Sequence, residues 1–299
     1  MGGEMNEVRR ITLVRAIALV AIAIVAIVVL TTGSAFAITG NWVTDNEHPF
    51  VGLVCIYNED GEFIWRGSGS LISPTVVLTA GHVVDTAEGA ASARVYFQQD
   101  AGAHYDPALG YDPVSGYPLY DSKDGLSRTS DELYNYGFAN FAGFPNTHDA
   151  GLVILDRPIT MSEYGQLPKA GVLDSLATAR GLKKPVFTPS GYGLTYSVQE
   201  HSALSNISYR SRLMARSTLV NLGSHNTDGF NLQTQGNGDG RGGTCSGDSG
   251  GPVFLGGFDS NLIVGVTSFG MNSLCRGTDY AYRVDTVEVL DWINGHLGD

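Results

Sequence analysis

Cysteine is scarce in this sequence, with three residues in 299, at Cys55, Cys245 and Cys275. Three are too few for a small fold knitted by disulfides, and no paired C-x-x-C offers a zinc site. Charge is sparse as well. Asp, Glu, Lys and Arg make up 16% of the chain, against the usual quarter or so. The basic sign is the scarcer, 18 residues against 30 acidic ones, for a formal net charge of -12. Such a surface has no general attraction for nucleic acid or anionic lipid, so neither is expected as a partner. Sustained helical periodicity is nearly missing too. It is found once, after a cap at Asp285 or Thr286, where Val287, Val289, Leu290, Ile293 and Leu297 recur. No repeat of roughly 20–50 residues is evident, which excludes solenoids and propellers.

Glycine and apolar side chains are abundant, with 39 Gly and 43% hydrophobic residues. That balance excludes a disordered chain and suits an all-β fold with many turns. Short apolar, β-branched runs fall at residues 49–57, 67–72, 75–79, 150–155, 185–188, 216–222, 251–255 and 262–268. Clusters of Gly, Asn, Asp and Ser separate them, the pattern of a barrel or sandwich. Residues 98–147 lack sustained periodicity, yet half of the 14 Tyr fall between Tyr96 and Tyr136. A packed surface insertion is expected there. It is acidic but has no EF-hand spacing, so no metal site is expected. A link between two halves is expected between Pro158 and Lys184.

The N-terminus reads as a targeting segment. Arg9, Arg10 and Arg15 precede an apolar run at residues 16–30, and Ala35-Phe36-Ala37 forms an A-x-A cleavage site. Residues 1–37 are therefore expected to be a signal peptide, the mature chain to begin at Ile38, and the protein to be secreted. The alternative is an N-terminal membrane anchor, the segment then touching membrane only if uncleaved.

Three strings carry chemistry. Gly247-Asp248-Ser249-Gly250-Gly251-Pro252 sets a Ser in a tight Gly-rich turn where backbone N–H groups can approach a carbonyl oxygen. A nucleophilic Ser needs a base that titrates near neutrality, and His82 follows the strand Leu78-Thr79-Ala80-Gly81. The base needs a carboxylate to orient it, and Asp149 abuts the apolar run after it. Taken singly, these are a Gly-rich hairpin, a surface histidine and a strand-end cap. Together they stand in the order His, Asp, Ser.

With these strings the chain resembles the chymotrypsin-like (trypsin-like) serine endopeptidases. Leu78–His82 is similar to their T-A-A/G-H motif, and Asp149-Ala150-Gly151-Leu152 to their D-[IVA]-x-L strand. Gly247–Pro252 matches their nucleophile motif, and Ser268-Phe269-Gly270 resembles the S-W-G segment that flanks substrate. Gly191-Tyr192-Gly193 and Asp291-Trp292-Ile293 resemble the opening of the second barrel and the terminal helix. The resemblance covers Ile38 to the C-terminus, the Tyr-rich insertion apart. It implies two Greek-key β-barrels packed face to face with a C-terminal α-helix. The first barrel is expected over 38–166, with the insertion at about 98–147, and the second over 167–299.

The resemblance also implies roles. Ser249 is the nucleophile, His82 the base and Asp149 its orienting carboxylate, with Gly247 and Ser249 supplying the oxyanion donors. Gly243, Ser268, Gly270 and Asp279 are placed around the specificity pocket, with Ser268 also bonded to the Asp149 carboxylate. Asp279 either reaches the pocket wall or faces solvent. Cys245 and Cys275 are implied to be disulfide-bonded, leaving Cys55 a buried free thiol. The family's frequent bridge beside the base is missing, because Val83 and Gly67 stand there. Ile38-Thr39-Gly40-Asn41 resembles the activated N-terminus, implying an ion pair between the Ile38 amine and Asp248. Protein or peptide substrates, a monomer and no cofactor are expected. The rivals are a catalytically silent binding protein on the same fold and an esterase using the same three residues.

Overall fold

The computed structural model describes residues 38–102, 106–176, 185–195, 210–236, 240–271, 275 and 277–297. Residues 1–37, expected to be a signal peptide, lie outside the described residues. The strands in chain order are β1 (Thr39–Gly40), β2 (Trp42–Thr44), β3 (Val51–Tyr57), β4 (Phe63–Leu71), β5 (Val76–Thr79), β6 (Ser92–Tyr96), β7 (Ser127–Ser130), β8 (Glu132–Asn135) and β9 (Gly151–Ile154). There follow β10 (Val186–Gly191), β11 (Leu213–Ala215), β12 (Ser217–Asn221), β13 (Asn231–Gln235), β14 (Gly242–Gly243), β15 (Pro252–Leu255), β16 (Ile263–Gly270), β17 (Thr278–Arg283) and a helix, α1 (Val287–Asn294).

The expected all-β, two-barrel fold with a terminal helix is what the chain forms. One sheet runs β7-β6-β3-β4-β5-β9-β8. Its edge strands β7 and β8 are separated only by Asp131, which brings the edges together into a barrel. The other runs β12-β13-β17-β16-β15-β10-β11-β2 and closes where β10 also pairs with β12. Strand β3 is buried at all seven positions. It reads as a continuous apolar run, not an alternation, because both of its faces are covered. Each buried Val, Leu or Ile there contributes about 1.5–3 kcal/mol of transfer free energy.

Two details depart from the sequence reading, and of the two caps it offered for the helix the structure has Thr286. The start of the chain does not lie with the first barrel. Strand β2 pairs with β11, Val43 opposite Met214, and β1 pairs with β14, Thr39 opposite Gly243, so this segment extends the second barrel's sheet. The stretch 98–147 is not one insertion, because β7 and β8 lie inside it and complete the first barrel. Their residues are largely polar, which hides them from a hydrophobic-pattern search. Asp285 does not cap α1. Its carboxylate accepts the Leu173 amide and the Arg283 guanidinium, and Thr286 stands at the cap position.

Burial within the Tyr-rich segment is uneven, with Tyr96 and Tyr117 enclosed and Tyr111 and Tyr134 exposed. Tyr117 is buried, with the Arg66 and Arg210 guanidiniums over its ring at 5.7 and 5.1 Å. The barrels are tied by Arg212 on the second, which donates to the carbonyls of Val51 (3.1 Å) and Phe97 (3.0 Å) on the first. Among the described residues no helix is long and apolar enough to cross a membrane, and no cluster of potential metal ligands occurs.

Candidate active site

Pairing of β5 with β9 sets Thr79 opposite Gly151. The chain leaves β5 and reaches His82 three residues later, in a short 3₁₀ turn, while Asp149 stands two residues before Gly151. Both side chains thus emerge at one end of the barrel. Asp149 is fully buried and accepts the His82 amide at 2.9 Å and His82 Nδ1 at 2.9 Å through its other oxygen. Ser268 donates its Oγ–H to the same carboxylate from the second barrel. It can do so because β16 bulges between Thr267 and Phe269, which turns Ser268 out of the ladder.

Burial acts to raise the Asp149 pKa, but the His82 charge and the hydrogen bonds from His82 and Ser268 outweigh it and hold the group below 3.8. Burial acts to lower the His82 pKa, and Asp149, by charge and hydrogen bond, outweighs that and holds it above 6.5. Each member of the pair thus favours the charged form of the other.

Ser249 arrives from the second barrel. Its carbonyl accepts the Ser68 amide at 2.7 Å. A Cβ on Gly67 would come within 2.7 Å of that carbonyl and of Val83, the residue after His82. Gly67 is thus the gap through which the two barrels meet at the site. Gly250 has φ +79°, and a Cβ there would overlap Thr79 Oγ1, so only glycine lets this turn sit against the strand that leads to His82. The turn is also held by Asp248, whose carboxylate accepts the amides of Gly193 (2.8 Å) and Cys245 (2.9 Å). Burial raises the Asp248 pKa to about 7.

Beside Ser249 lies a cavity of about 390 Å³, lined among others by Thr244, Ser246, Phe269, Gly270, Cys275 and Asp279. The Cys245–Cys275 disulfide forms part of its wall. Cys55 is free and buried. Asp279 lies in β17, and its Oδ2 accepts the Thr244 amide at 3.2 Å. A Cβ on Gly243 would come within 2.5 Å of that oxygen. The absent side chain at Gly243 leaves room for the Asp279 carboxylate among the residues that line the cavity. Burial raises the Asp279 pKa to about 7.

Ile38 is fully buried, packed with Leu213, Ala215 and Trp42. Its nitrogen is an amide, since the chain continues to Ala37.

Two features escape the sequence reading. Phe138, Phe141, Phe144 and Phe269 form an aromatic wall beside His82, with Phe141 and Phe144 edge-on to Phe269 at 5.7 and 5.8 Å. Their spacing of three residues ahead of Asp149 is the signal available. The other is Ser68, in the Gly67-Ser68-Gly69-Ser70 run, where nothing local distinguishes it from its neighbour.

Two β-barrels meeting at a buried Asp–His pair on one side and a Gly-framed Ser on the other define the class of two-barrel serine proteases. The trypsin family model matches residues 37–293. The chain is 28% identical over 273 residues to a CLIP domain-containing serine protease B10 of Anopheles gambiae, covering 87% of this chain and 69% of that one. It is 29% identical over 245 residues to a chymotrypsin of Phaedon cochleariae, covering 79% and 74%. Among solved structures it is similar to HL collagenase, with a TM-score of 0.60 at 19% identity over 88% of this chain and 99% of that one. It is also similar to human heparin binding protein, at 0.57 and 20% over 87% and 96%. The chain belongs to the trypsin family.

Proposed function

We propose that the chain is a secreted serine endopeptidase acting on protein or peptide substrates through Ser249, His82 and Asp149. The observation that carries this reading is the Asp149–His82 pair, bonded through Nδ1, with Val83, the residue after His82, and the Ser249 carbonyl both standing against Gly67. Asp149 fixes the proton on Nδ1, so Nε2 is the basic atom. Ser249 Oγ attacks the scissile carbonyl carbon as its proton passes to Nε2. The tetrahedral oxyanion is bound by the N–H groups of Gly247 and Ser249. Collapse breaks the C–N bond, the amine leaves with the proton from His82, and water hydrolyses the acyl-enzyme by the same steps. An ionised Asp279 carboxylate in the cavity beside Ser249 would favour Arg and Lys before the cleaved bond.

The test is labelling of the folded protein by an organophosphonate. Stoichiometric modification at Ser249, lost in His82→Ala, supports the reading. An unlabelled folded protein points to a silent binding protein on this fold. Turnover of a simple ester without turnover of a folded protein points to an esterase.

Removal of the leader after Ala37 would free the Ile38 amine, and we propose that it then pairs with Asp248. Two observations support this. Segment β1 lies on Gly242–Gly243 near the turn, and the buried Asp248 carboxylate, drawn up to about 7, gains from a cation. Pairing would lower the Asp248 pKa and raise that of the amine, whose ordinary value is about 8. The active state is then kept below the amine's ordinary pKa and lost as pH rises through its raised one. The check compares chains beginning at Ile38 and one residue earlier. Equal activity at neutral pH would defeat the pairing and leave the Ser249 reading intact.

A further inference from the structure

Ser68 is a fully buried side chain that the chemistry above does not use. It sits on β4 of the first barrel, and its hydroxyl crosses to the second. The Oγ–H donates to the Gly247 carbonyl at 2.9 Å, and the same oxygen accepts the Tyr192 amide at 2.9 Å. The Ser68 amide donates to the Ser249 carbonyl at 2.7 Å, and the Ser68 carbonyl accepts Thr79 Oγ1 at 2.8 Å. One residue therefore grips the nucleophile turn at the carbonyls on both sides of Asp248.

Those anchors bear on the two donors assigned to the oxyanion. An amide N–H has no freedom of its own, because its direction is that of its peptide plane. The Gly247 carbonyl and the Asp248 N–H share one plane, which is pinned at both ends, by Ser68 Oγ and by the Cys245 carbonyl at 3.0 Å. The plane beyond Ser249 is pinned by the Ser68 amide. Between them lies the plane that carries the Ser249 N–H, whose Asp248 carbonyl accepts the Gly251 amide at 2.8 Å. On the other side, the plane that carries the Gly247 N–H is held at the Ser246 carbonyl by the Leu194 amide at 2.8 Å, and Gly247, at φ +94°, joins it to the plane that Ser68 Oγ holds, so the Ser68 bond completes the fixing of both donors. The Tyr192 bond joins the brace to Gly193, whose amide holds Asp248.

We propose that Ser68 is a positioning residue that aligns the Gly247 and Ser249 N–H groups on the oxyanion through its hydroxyl. This rests on the protease reading. Preorganised donors act where charge develops, so their misalignment weakens transition-state binding more than substrate binding.

The experiment places Ser68→Ala, Ser68→Val and Ser68→Thr in the chain beginning at Ile38 and measures three quantities: steady-state kinetics on a peptide amide, inhibition by a peptide aldehyde, and thermal unfolding. The aldehyde forms a hemiacetal with Ser249 and puts its oxygen where the oxyanion sits. In Ala and Val, kcat falls by about 10- to 100-fold, short of the loss of a whole donor, while KM stays within about twofold. Aldehyde affinity falls in step with kcat/KM. Thr keeps the hydroxyl and recovers most of both. Thr and Val have one shape and differ by hydroxyl against methyl, so this pair decides the matter if Ala is too unstable to assay. An Ala variant with parental kcat and aldehyde affinity, a loss in KM alone, or Thr behaving as Val overturns the assignment. A folded parent with neither turnover nor phosphonate labelling rejects the protease reading and this assignment together, whereas an active parent with an unaffected Ala variant rejects Ser68 alone.

Discussion

The molecule contains the same chemical cluster twice. At Asp149 the carboxylate accepts the His82 amide, His82 Nδ1 and the Ser268 hydroxyl. At Asp45 it accepts the His48 amide (3.0 Å), His48 Nδ1 (2.9 Å) and the Ser190 hydroxyl. Both aspartates are fully buried, and both are held below the ordinary carboxylate range. Burial acts against that shift in each case, and the histidine and serine contacts overcome it. The difference lies on the far side of the ring. His48 is wholly enclosed, stacked on Phe254 at 4.2 Å, with Nε2 against the Ser260 carbonyl at 3.2 Å. The His82 side chain is 25% exposed, and only its Nδ1 is committed to Asp149. The same residue types thus make an anchor at His48, whose outer nitrogen has an acceptor, and leave His82, the proposed base, partly open to solvent. The Asp45 cluster, with Arg212 donating to the Asp45 carbonyl at 3.1 Å, fastens the first segment of the chain to the second barrel.

Exchanging the two histidines for alanine gives the largest contrast. His82→Ala lowers kcat by on the order of 10⁴-fold or more, and adding Ser249→Ala costs little further, since residues that act as a unit are not additive. Its loss of stability is smaller than that of His48→Ala, because the His82 side chain is 25% exposed and water can take its place beside Asp149. His48→Ala removes one partner of a buried pair, so it costs about 3–5 kcal/mol of stability, while the kcat of the folded fraction is unchanged. Kinetics and thermal unfolding on the two variants check this. A His48 variant that is stable but inactive breaks the distinction. In the parent, kcat rises with pH through a midpoint above the ordinary imidazole value of 6.5, because Asp149 raises the His82 pKa against the effect of burial. A midpoint below that value counts against His82 as the base.

The serines give a smaller contrast of the same kind. Ser268→Ala withdraws a hydrogen bond to a charged group, about 1.5–3 kcal/mol. The Asp149 pKa rises, and kcat falls by roughly 10- to 100-fold. Ser190→Ala withdraws the matching bond from Asp45, and its cost of similar size falls on stability instead. If both variants lose stability and neither loses kcat, Ser268 is no more than a second anchor.

These two clusters also show what a sequence can reveal. The strings around His82 and Ser249 are legible because each is contiguous: a strand end, a turn and the residue it presents fall within a few positions. The Cys245–Cys275 disulfide and the two-barrel fold follow from the same resemblance, and the structure has both. Asp45 and His48 read only as an acidic and a basic residue three apart, because the partner that completes them, Ser190, is 145 residues away. Strands β8, Glu132–Asn135, and β13, Asn231–Gln235, are hidden for a related reason. Their polar residues carry little pattern, and it is pairing with β9 and with β12 and β17 that makes them strands. Asp279 was legible as a candidate but not in direction. Its orientation depends on Gly243, 36 positions earlier, having no side chain.

Asp279 extends the comparison to a carboxylate with no imidazole beside it. Asp45 and Asp149 are buried with a histidine and are held low, whereas burial without one raises Asp279 to about 7. On the role proposed for Asp279, that value predicts a pH-dependent preference. Below it the group is neutral and the pocket accepts apolar side chains as readily as before. Above it the group is an anion that binds Arg or Lys. Between pH 6 and 8 the ionised fraction of a group titrating near 7 rises about tenfold, so the ratio of Arg to Leu cleavage should rise by a similar factor. A ratio is the right measure because the titrations of His82 and Asp248 act on both substrates alike and cancel. Asp279→Asn should flatten the ratio across that range and lower it at pH 8, with Leu cleavage little changed. A ratio that stays flat in the parent, or keeps its pH dependence in Asp279→Asn, removes Asp279 from the pocket's chemistry.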